Sequence, residues 1–471
     1  MSGGQGAVRA SSSILEATPS SAAPAKPRQR YIVGCGAPTI GISISGSEYS
    51  YGTYPVASEL DYFRSRGISL IRLAISWELM QSTLNGPLNQ TYLTGLEKVL
   101  SAAAARGIRV IVDLHSWGRY HGGIGLRTDT AGAGFNGGNP IGSTAVPISA
   151  FVDLWTKLAG ALKNQPGVYA YDIMNEPHDM GGGQRGDVGG SPIWTQAAQA
   201  AVNGIRSVDM HTTIMVEGTQ YSSAAVWLNY NANFILNDPA NKLVYQAHQY
   251  FDGVGGGGKY TQTYDQYHAY PTIGVDLLKP WLNWLQQHNL QGFLGEFGVP
   301  NNDPRWLDVL ERVLTKLKAN GISGTMFGYR VRAGFWPHPL FLNPTGGHDS
   351  PQMTVLMAHT WPTVTSFTDS GHTAPDVSTM TGIAVAGSTL QLFDGTSQLA
   401  TQLATTTANS TGSWSLNIKQ WPFGERTFKV TATSPAGSTP VTKASIAVTI
   451  RWHLGLVRRC IVVHHRFRQI E

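Results

Sequence analysis

Short apolar runs alternate with helix-length segments along the chain between about residues 37 and 360. The apolar runs have the length of buried strands, and the segments between them repeat apolar residues at helical spacing. Several of the predicted helices end at a glycine, as Gly67 and Gly107 do, which is typical of a helix C-terminus. The pattern predicts eight strands, within residues 38–46, 68–75, 108–115, 168–176, 212–218, 243–250, 292–298 and 322–330.

Eight strand–helix units of this kind predict a (β/α)8 barrel, an α/β fold that builds its active site at the carboxyl ends of the strands. Polar residues stand at these predicted ends. Any one of them alone is equally consistent with an isolated polar loop residue, but several at one rim favour a functional site. The residues are Arg72, His115, Asn175, Glu176, His248, Tyr250 and Glu296.

The composition changes along the chain and predicts five regions. Residues 1–30 are rich in Ser, Ala and Pro and are expected to be a disordered linker, and residues 31–362 form the barrel. Residues 363–373 are rich in Thr, Ser, Pro and Gly and are expected to be a second linker. Residues 374–450 follow a period of two with frequent turns, which predicts a small all-β sandwich. Residues 451–471 are a basic tail that fits neither domain and is expected to be non-native.

The predicted sandwich resembles the immunoglobulin-like modules attached to bacterial secreted enzymes. The segment DGTSQLATQLATTTANSTGSWSLNI, which runs past Trp414, carries most of this resemblance. It implies a spacer or stabilising module, with carbohydrate binding as an alternative that few aromatic residues support.

The net charge of +5 lies in the two ends of the chain. The last 21 residues carry a net charge of +4 and residues 1–30 one of +3, so the rest of the chain is at −2. A nucleic-acid-binding protein would place its positive charge on the folded body, so we expect no nucleic-acid partner.

No apolar run is long enough to span a membrane, and none at the N-terminus forms a signal core, so an exported protein would have lost its signal. We expect no membrane partner.

Glu176 and Glu296 form a candidate catalytic pair. They end the fourth and seventh predicted strands, which lie across the mouth of a barrel from one another. Two carboxyl groups on opposite sides of a cleft are the basic equipment for glycoside hydrolysis, in which one donates a proton and the other attacks the sugar or activates water. The spacing along the chain leaves both the retaining and the inverting route open.

Neighbouring residues suggest how the two roles are divided. Asn175 precedes Glu176 and is expected to bond a sugar 2-hydroxyl. Arg72 and Tyr250 are expected to keep Glu296 ionised, because positive charge and hydrogen bonds lower the pKa of a carboxyl group.

Two histidines complete the predicted site. His248 is expected to orient Glu176, and His115 to bond a sugar hydroxyl, although each is also consistent with a structural histidine. Residues 31–362 contain no HExxH motif or close histidine pair, so no metal site and no cofactor are expected.

Five stretches in this order resemble glycoside hydrolase family five, and most of all its endo-β-1,4-glucanases: IRLAISWE, DLHSWGRY, YDIMNEPHD, YQAHQY and GFLGEFG. The resemblance covers residues 37–360. It implies a retaining double displacement with Glu176 as acid/base and Glu296 as nucleophile, acting on cellulose and related β-glucans. Mannan, xyloglucan and mixed-linkage glucan remain alternative substrates. A glycan-binding protein with weakened catalysis is the alternative from another functional class.

One residue departs from the family pattern. Arg330 stands where the resemblance implies a tryptophan that stacks on the sugar ring. An arginine there adds a fixed positive charge, which is expected to lower the pKa of Glu176 and weaken its acid function.

Other aromatic residues that follow predicted strands are candidates for sugar stacking, namely Trp117, Tyr120, Trp227 and Trp336. We expect a secreted monomer whose partner is its β-glucan substrate.

Overall fold

The computed structural model describes most of the barrel region and the strands that follow it. The described residues are 38–49, 53–122, 137–180, 189–254, 256–329, 340–344, 348–360, 363–368, 377–384, 387–395, 401–410, 412–419, 426–433, 443–450 and 461–465.

In the described part of the chain, ten strands precede residue 330. In chain order they are β1 (Ile40–Ile44), β2 (Leu70–Ile75), β3 (Arg109–Leu114), β4 (Arg119–Tyr120), β5 (Asn139–Pro140), β6 (Val168–Asp172), β7 (Thr213–Glu217), β8 (Leu243–His248), β9 (Gly292–Phe297) and β10 (Ser323–Tyr329). Eight of them close into a barrel in the order β1-β10-β9-β8-β7-β6-β3-β2. Every neighbouring pair in the barrel is parallel, and β4 and β5 form a separate ribbon. The prediction of an eight-stranded barrel is confirmed.

Helices connect and cover the strands. They are α1 (Ala57–Ser65), α2 (Trp77–Met80), α3 (Gln90–Ala104), α4 (Ile148–Leu162), α5 (Pro192–Arg206), α6 (Trp227–Asn231), α7 (Ile273–His288), α8 (Arg305–Ala319) and α9 (Pro351–Thr360). Local chemistry sets several of their ends. Ser191 caps α5 by accepting a hydrogen bond from the Trp194 N–H, and Pro192 occupies the first turn, where its missing N–H costs nothing. Gly107 follows α3 with a φ of 67°, a conformation that favours glycine.

The two faces of the barrel strands differ in polarity. Successive residues of a strand point to opposite sides, so residues two apart share a face. One set of inward-facing residues packs as a small apolar cluster made of Leu70, Ile111, Ala170, Met215, Val244 and Phe293. Two residues further along their strands stand buried polar residues, which we call the polar layer: Arg72, Asp113, Asp172, Glu217 and Gln246. The apolar cluster therefore supports the polar layer from below, and the outward-facing residues pack against the helices.

The C-terminal part forms two antiparallel sheets. The strands are β11 (Thr363–Thr368), β12 (Val377–Ile383), β13 (Thr389–Asp394), β14 (Thr401–Thr407), β15 (Ser413–Lys419), β16 (Arg426–Thr433), β17 (Lys443–Ile450) and β18 (Ile461–His465). One sheet has the order β11-β12-β15, and the other β14-β13-β16-β17-β18. Alternate residues such as Leu390 and Leu392, or Phe428 and Val430, are buried, as expected for strands with one inner face.

Two of these strands extend beyond the predicted sandwich. β11 lies inside the predicted linker 363–373, and β18 lies inside the predicted tail 451–471. Both strands contain β-branched residues, in TVTSFT and IVVHH, which favour strand pairing. The Thr- and Arg-rich composition around them concealed this preference. The predicted linker and the predicted tail therefore each include a strand, and the domain boundaries stay predictions.

The sheets contact the barrel through helix α1. Arg64, near the end of α1, donates from Nη2 to Ser413 Oγ at the start of β15, over 2.9 Å. Among the described residues, no helix combines the length and the apolar character that crossing a membrane requires.

Candidate active site

Arg72 lies at the centre of the polar layer. It is 1% exposed and contacts four carboxyl groups, with nitrogen–oxygen distances of 2.8 Å to Asp172, 2.8 Å to Glu296, 3.0 Å to Glu217 and 3.1 Å to Asp113. A single guanidinium cannot neutralise four ionised carboxylates. Burial, opposed by Arg72 and reinforced by Glu217, raises the pKa of Asp172 to about 7. The excess negative charge therefore favours protons on nearby groups.

Glu176 lies just beyond the end of β6. The strand ends at Asp172, and the chain then turns so that Glu176 adopts a φ of 45°. This left-handed conformation is uncommon for a residue with a side chain and requires support from the surroundings. Glu217 Oε2 supplies that support by accepting a hydrogen bond from the Glu176 backbone N–H over 2.8 Å.

Glu296 lies within β9, and both of its carboxyl oxygens have donors. Arg72 Nη1 donates to Oε1 over 2.8 Å, and the Tyr250 hydroxyl donates to Oε2 over 3.1 Å. These are the two contacts predicted from the sequence. Burial nevertheless raises the pKa of Glu296, and the charge of Glu176 adds to this effect, while His248 and Arg72 oppose it.

The two glutamates face one another at short range. One carboxyl oxygen of Glu176, one of Glu296 and a ring nitrogen of His248 all lie within 4.8 Å of one another. The His248 Nδ1 atom is 2.8 Å from Glu176 Oε1 and 3.9 Å from Glu296 Oε2. Burial opposes ionisation of Glu176, but the hydrogen bond and the charge of His248 outweigh it and lower the pKa of Glu176.

Glu217 holds the other side of the His248 ring. The His248 Nε2 atom is 3.1 Å from Glu217 Oε1, and the same oxygen accepts from Arg72 and from the Gln246 side-chain amide. Burial lowers the pKa of His248, but the negative charges of Glu217 and Glu296 outweigh burial and raise this pKa well above its usual value. The imidazole therefore bridges two carboxylates.

Asn175 and His115 complete the set. Asn175 Oδ1 accepts from Arg72 over 2.8 Å, and its Nδ2 has no partner among the described residues. His115 Nδ1 is 2.7 Å from Asp113 Oδ2. Although burial opposes it, this carboxylate, with Glu296 and Glu48, raises the pKa of His115 to about 9.

The structure therefore brings together all seven rim residues predicted from the sequence. The predicted aromatic residues are more dispersed. Trp117 packs edge-on against the His115 ring, with centroids 5.0 Å apart. Tyr120 is 7% exposed, packs against Trp77 and donates to the Gln81 carbonyl. It is part of the apolar core and offers little ring surface to a sugar.

Trp227 corrects one prediction. The sequence makes it a candidate for sugar stacking, but it begins helix α6, is fully buried and packs against Trp284. Neither face of its ring is open to a sugar, because the apolar helix layer encloses it. Arg330 and Trp336 lie outside the described residues. The last barrel strand, β10, places Phe327 against the Tyr250 ring, with centroids 6.3 Å apart.

Sequence reasoning missed four residues of the polar layer, namely Asp113, Asp172, Glu217 and Gln246. A signal for them existed. Each is a polar residue inside an otherwise apolar predicted strand, two positions after an inward-facing apolar residue. The strand period of two therefore already places them on the same face as the rim residues.

Comparison with known proteins agrees with this geometry. The family model described as cellulase (glycosyl hydrolase family 5) matches residues 34–331. The crystal structure of Pseudomonas stutzeri endoglucanase Cel5A in complex with cellobiose is similar, with 36% identity and a TM-score of 0.59, covering 68% of this chain and 92% of that one.

Curated relatives from fungi are also similar. A probable endo-beta-1,4-glucanase B of Neosartorya fischeri is 30% identical over 276 residues, which are 56% of this chain and 73% of that protein. A protein of Phanerodontia chrysosporium named manganese dependent endoglucanase Eg5A is 28% identical over 338 residues, which are 70% of this chain and 76% of that one.

The name of the last relative raises the question of a metal. Glu176, His248 and Glu296 are close enough to share an ion, and carboxylate and imidazole ligands suit manganese. However, His248 Nδ1 and Glu176 Oε1 are hydrogen-bonded to each other, and the Arg72 guanidinium contacts Glu296. A cation would have to break the first pair and lie close to a fixed positive charge. These residues do not fit a resident metal ion.

Proposed function

The chain belongs to glycosyl hydrolase family 5, and we propose that it is an endo-acting β-1,4-glucanase that works by retaining double displacement. The observation that carries the mechanism is the short distance between the two catalytic carboxyl groups. Retaining enzymes hold these groups about 5–5.5 Å apart, and inverting enzymes about 6.5–9.5 Å apart. The value of at most 4.8 Å between an oxygen of Glu176 and one of Glu296 supports the retaining route.

In the first step the Glu296 carboxylate attacks the anomeric carbon while Glu176 protonates the glycosidic oxygen. The bond between that carbon and that oxygen breaks, and the departing sugar leaves with the proton from Glu176. Arg72 and Tyr250 hold both oxygens of Glu296 in place for the attack. The buried Tyr250 remains protonated and can donate, because burial and the charge of Glu296 raise the pKa of its hydroxyl well above the usual value.

The proton for this step comes from the Glu176–His248 pair. A proton between Nδ1 and Oε1, which are 2.8 Å apart, gives either an imidazolium with a carboxylate or a neutral imidazole with a carboxylic acid. When the proton lies on Glu176, Glu296 loses both the repulsion of the Glu176 carboxylate and the attraction of the His248 cation. Arg72 then remains as the fixed positive charge that keeps Glu296 ionised for the attack.

In the second step a water molecule attacks the anomeric carbon of the glycosyl–enzyme ester. Glu176, now a carboxylate, takes the proton from that water, and the bond from the sugar to Glu296 breaks. The sugar leaves with its original anomeric configuration, and both carboxyl groups return to their starting states.

Asn175 and His115 are suited to hold the sugar. Arg72 fixes the Asn175 oxygen, which leaves the amide N–H groups to donate to a hydroxyl at the transition state. Asp113 fixes Nδ1 of His115, which leaves Nε2 for a second hydroxyl. The edge-on packing of Trp117 against His115 keeps that imidazole in place.

We propose cellulose and related β-glucans as substrates because the relatives named above are endoglucanases, one of them solved with cellobiose. Mannan, xyloglucan and mixed-linkage glucan would require the same chemistry, so a panel of soluble polysaccharides distinguishes them. Secretion and a monomeric state remain predictions. So does an immunoglobulin-like character for the C-terminal sheets.

Hydrolysis of defined cello-oligosaccharides tests the proposal. We expect cleavage of internal bonds with a β-anomer as the first product in proton NMR spectra. Glu176→Ala and Glu296→Ala should each lower kcat by at least about 10²-fold, because each removes a group that acts at the transition state. Because the residues do not fit a metal, EDTA should leave the rate unchanged. An α-anomer as first product, or full activity in either variant, would contradict the mechanism.

A further inference from the structure

The two carboxyl oxygens of Glu217 contact the proposed acid/base Glu176 and its partner His248. The Oε2 atom accepts a hydrogen bond from the backbone N–H of Glu176. The Oε1 atom lies 3.1 Å from Nε2 of His248, and the other ring nitrogen of His248, Nδ1, contacts the Glu176 carboxyl group. We propose that Glu217 is the positioning residue of the acid/base, which it holds through the backbone of Glu176 and through the imidazole of His248. This inference rests on the proposed roles of Glu176 and Glu296.

The backbone contact holds Glu176 in an unfavourable conformation. A φ of 45° in a residue with a side chain is energetically unfavourable and persists only where neighbours enforce it. The 2.8 Å hydrogen bond to Glu217 is such a constraint, and it involves a completely buried carboxylate. Loss of this bond would let the Glu176 peptide rotate and move the carboxyl group away from the glycosidic oxygen.

The imidazole contact decides which ring nitrogen can exchange a proton. With Glu217 as its neighbour, His248 Nε2 carries a proton that points to Oε1. The exchangeable proton then lies on the other side, between Nδ1 and Glu176 Oε1. A carboxylate at position 217 therefore keeps the His248–Glu176 pair in the state in which it can supply an acid.

Glu217 is itself held firmly. Arg72 and the Gln246 amide donate to Oε1, and the Trp194 indole N–H donates to its backbone carbonyl over 2.8 Å. Its position at the end of β7, next to β6 and β8 in the barrel, places it between the strands that carry Glu176 and His248. The Glu217 carboxylate can therefore hold both Glu176 and His248 in position.

The dependence of rate on the leaving group separates a role in acid catalysis from a general structural role. Cellotetraose has a poor leaving group that needs a proton, whereas dinitrophenyl β-cellobioside has one that departs without help. For Glu217→Gln we expect kcat/KM on cellotetraose to fall by roughly 10²-fold, in line with the usual size of general acid catalysis. On the dinitrophenyl substrate it should fall by less than about threefold, because a glutamine oxygen can still accept from Arg72, which holds the nucleophile Glu296.

Asp172→Ala is the control. Asp172 is a buried carboxylate of the same layer that accepts from Arg72 and Gln246 and has no described contact with Glu176 or His248. Its loss disturbs Arg72 and thereby the nucleophile, so both substrates should be affected by similar factors. Thermal melting of every variant confirms that it is folded.

Glu176→Ala calibrates the assay, because it should lose cellotetraose hydrolysis and keep the first step on dinitrophenyl β-cellobioside. Equal loss on both substrates in that variant would overturn the proposed acid role of Glu176, whatever Glu217 does.

If Glu176→Ala behaves as expected, equal losses in Glu217→Gln, or no loss, would overturn the role of Glu217 alone. Glu217→Asp, which keeps the charge but shortens the reach, should fall between wild type and Glu217→Gln. Failure of both Glu217 variants to fold would show a folding role and also overturn the inference.

Discussion

At the scale of single residues, the site depends on an excess of buried carboxylates around one guanidinium. Arg72 touches four of them, and the remaining charge is balanced by protons on His115 and His248. One of these protons lies on His248, which contacts the proposed acid Glu176. The same arrangement makes the stability of the protein depend on pH, because these histidines bind protons more tightly in the folded state than in the unfolded chain.

Stability should therefore fall as pH rises from about 6.5 to 9. The folded-state pKa of His115, about 9, exceeds the unfolded value of 6.5, so its contribution is complete below pH 6.5 and is lost through pH 9. The loss from this residue is at most roughly 3 kcal/mol by linkage. Urea unfolding at intervals across this range measures it. His115→Gln should show a smaller decrease over the same range, and an unchanged decrease would contradict the assignment to His115.

At the scale of elements, the period of two along each barrel strand is what builds the site. In β3 the inward series is Ile111, Asp113 and then His115, and in β8 it is Val244, Gln246 and His248. These two strands therefore each supply an apolar residue at the bottom of the site, a polar residue above it and a residue at the rim. Close packing inside so small a barrel leaves certain positions no space for a side chain.

Gly41 is such a position. It lies in β1 beside β2, and a Cβ atom there would come within 2.1 Å of the Leu70 carbonyl oxygen and 2.8 Å of its carbon. Backbone atoms cannot move aside easily, so Gly41→Ala should lower the free energy of unfolding by about 1–3 kcal/mol. Gly160→Ala is the control, because its Cβ in helix α4 would meet nothing within 4 Å. It should be neutral or stabilise by about 0.4–1 kcal/mol in the same urea titration. Equal effects of the two changes would contradict this packing argument.

At the scale of the whole molecule, the barrel contains every described residue of the proposed chemistry. The C-terminal sheets have their own buried residues and contact helix α1, through Arg64 and Ser413. A helix that follows β1 runs back from the catalytic end of a barrel, so the end of α1 lies towards the opposite end. The sheets therefore have no described contact with Glu176 or Glu296.

Removal of the sheets should separate stability from catalysis. A chain that ends after Thr360 keeps all eight barrel strands and helix α9. It should hydrolyse cello-oligosaccharides with kcat/KM within about twofold of the full chain, and should melt at a lower temperature because Arg64 loses its contact with Ser413. The full chain with Ser413→Ala controls for this one contact. A folded but inactive truncated chain would show that the sheets contribute to the site.

The sequence by itself determined the barrel, the end at which its site lies and the seven polar residues that meet there. Each of these follows from local periodicity and from the rule that parallel strands end at the same rim. Tertiary structure decided which atoms meet, such as both oxygens of Glu217 with Glu176 and His248, residues that are distant along the chain. It also decided that Trp227 is enclosed and that β11 and β18 pair, because burial and strand pairing depend on contacts between segments far apart in the sequence.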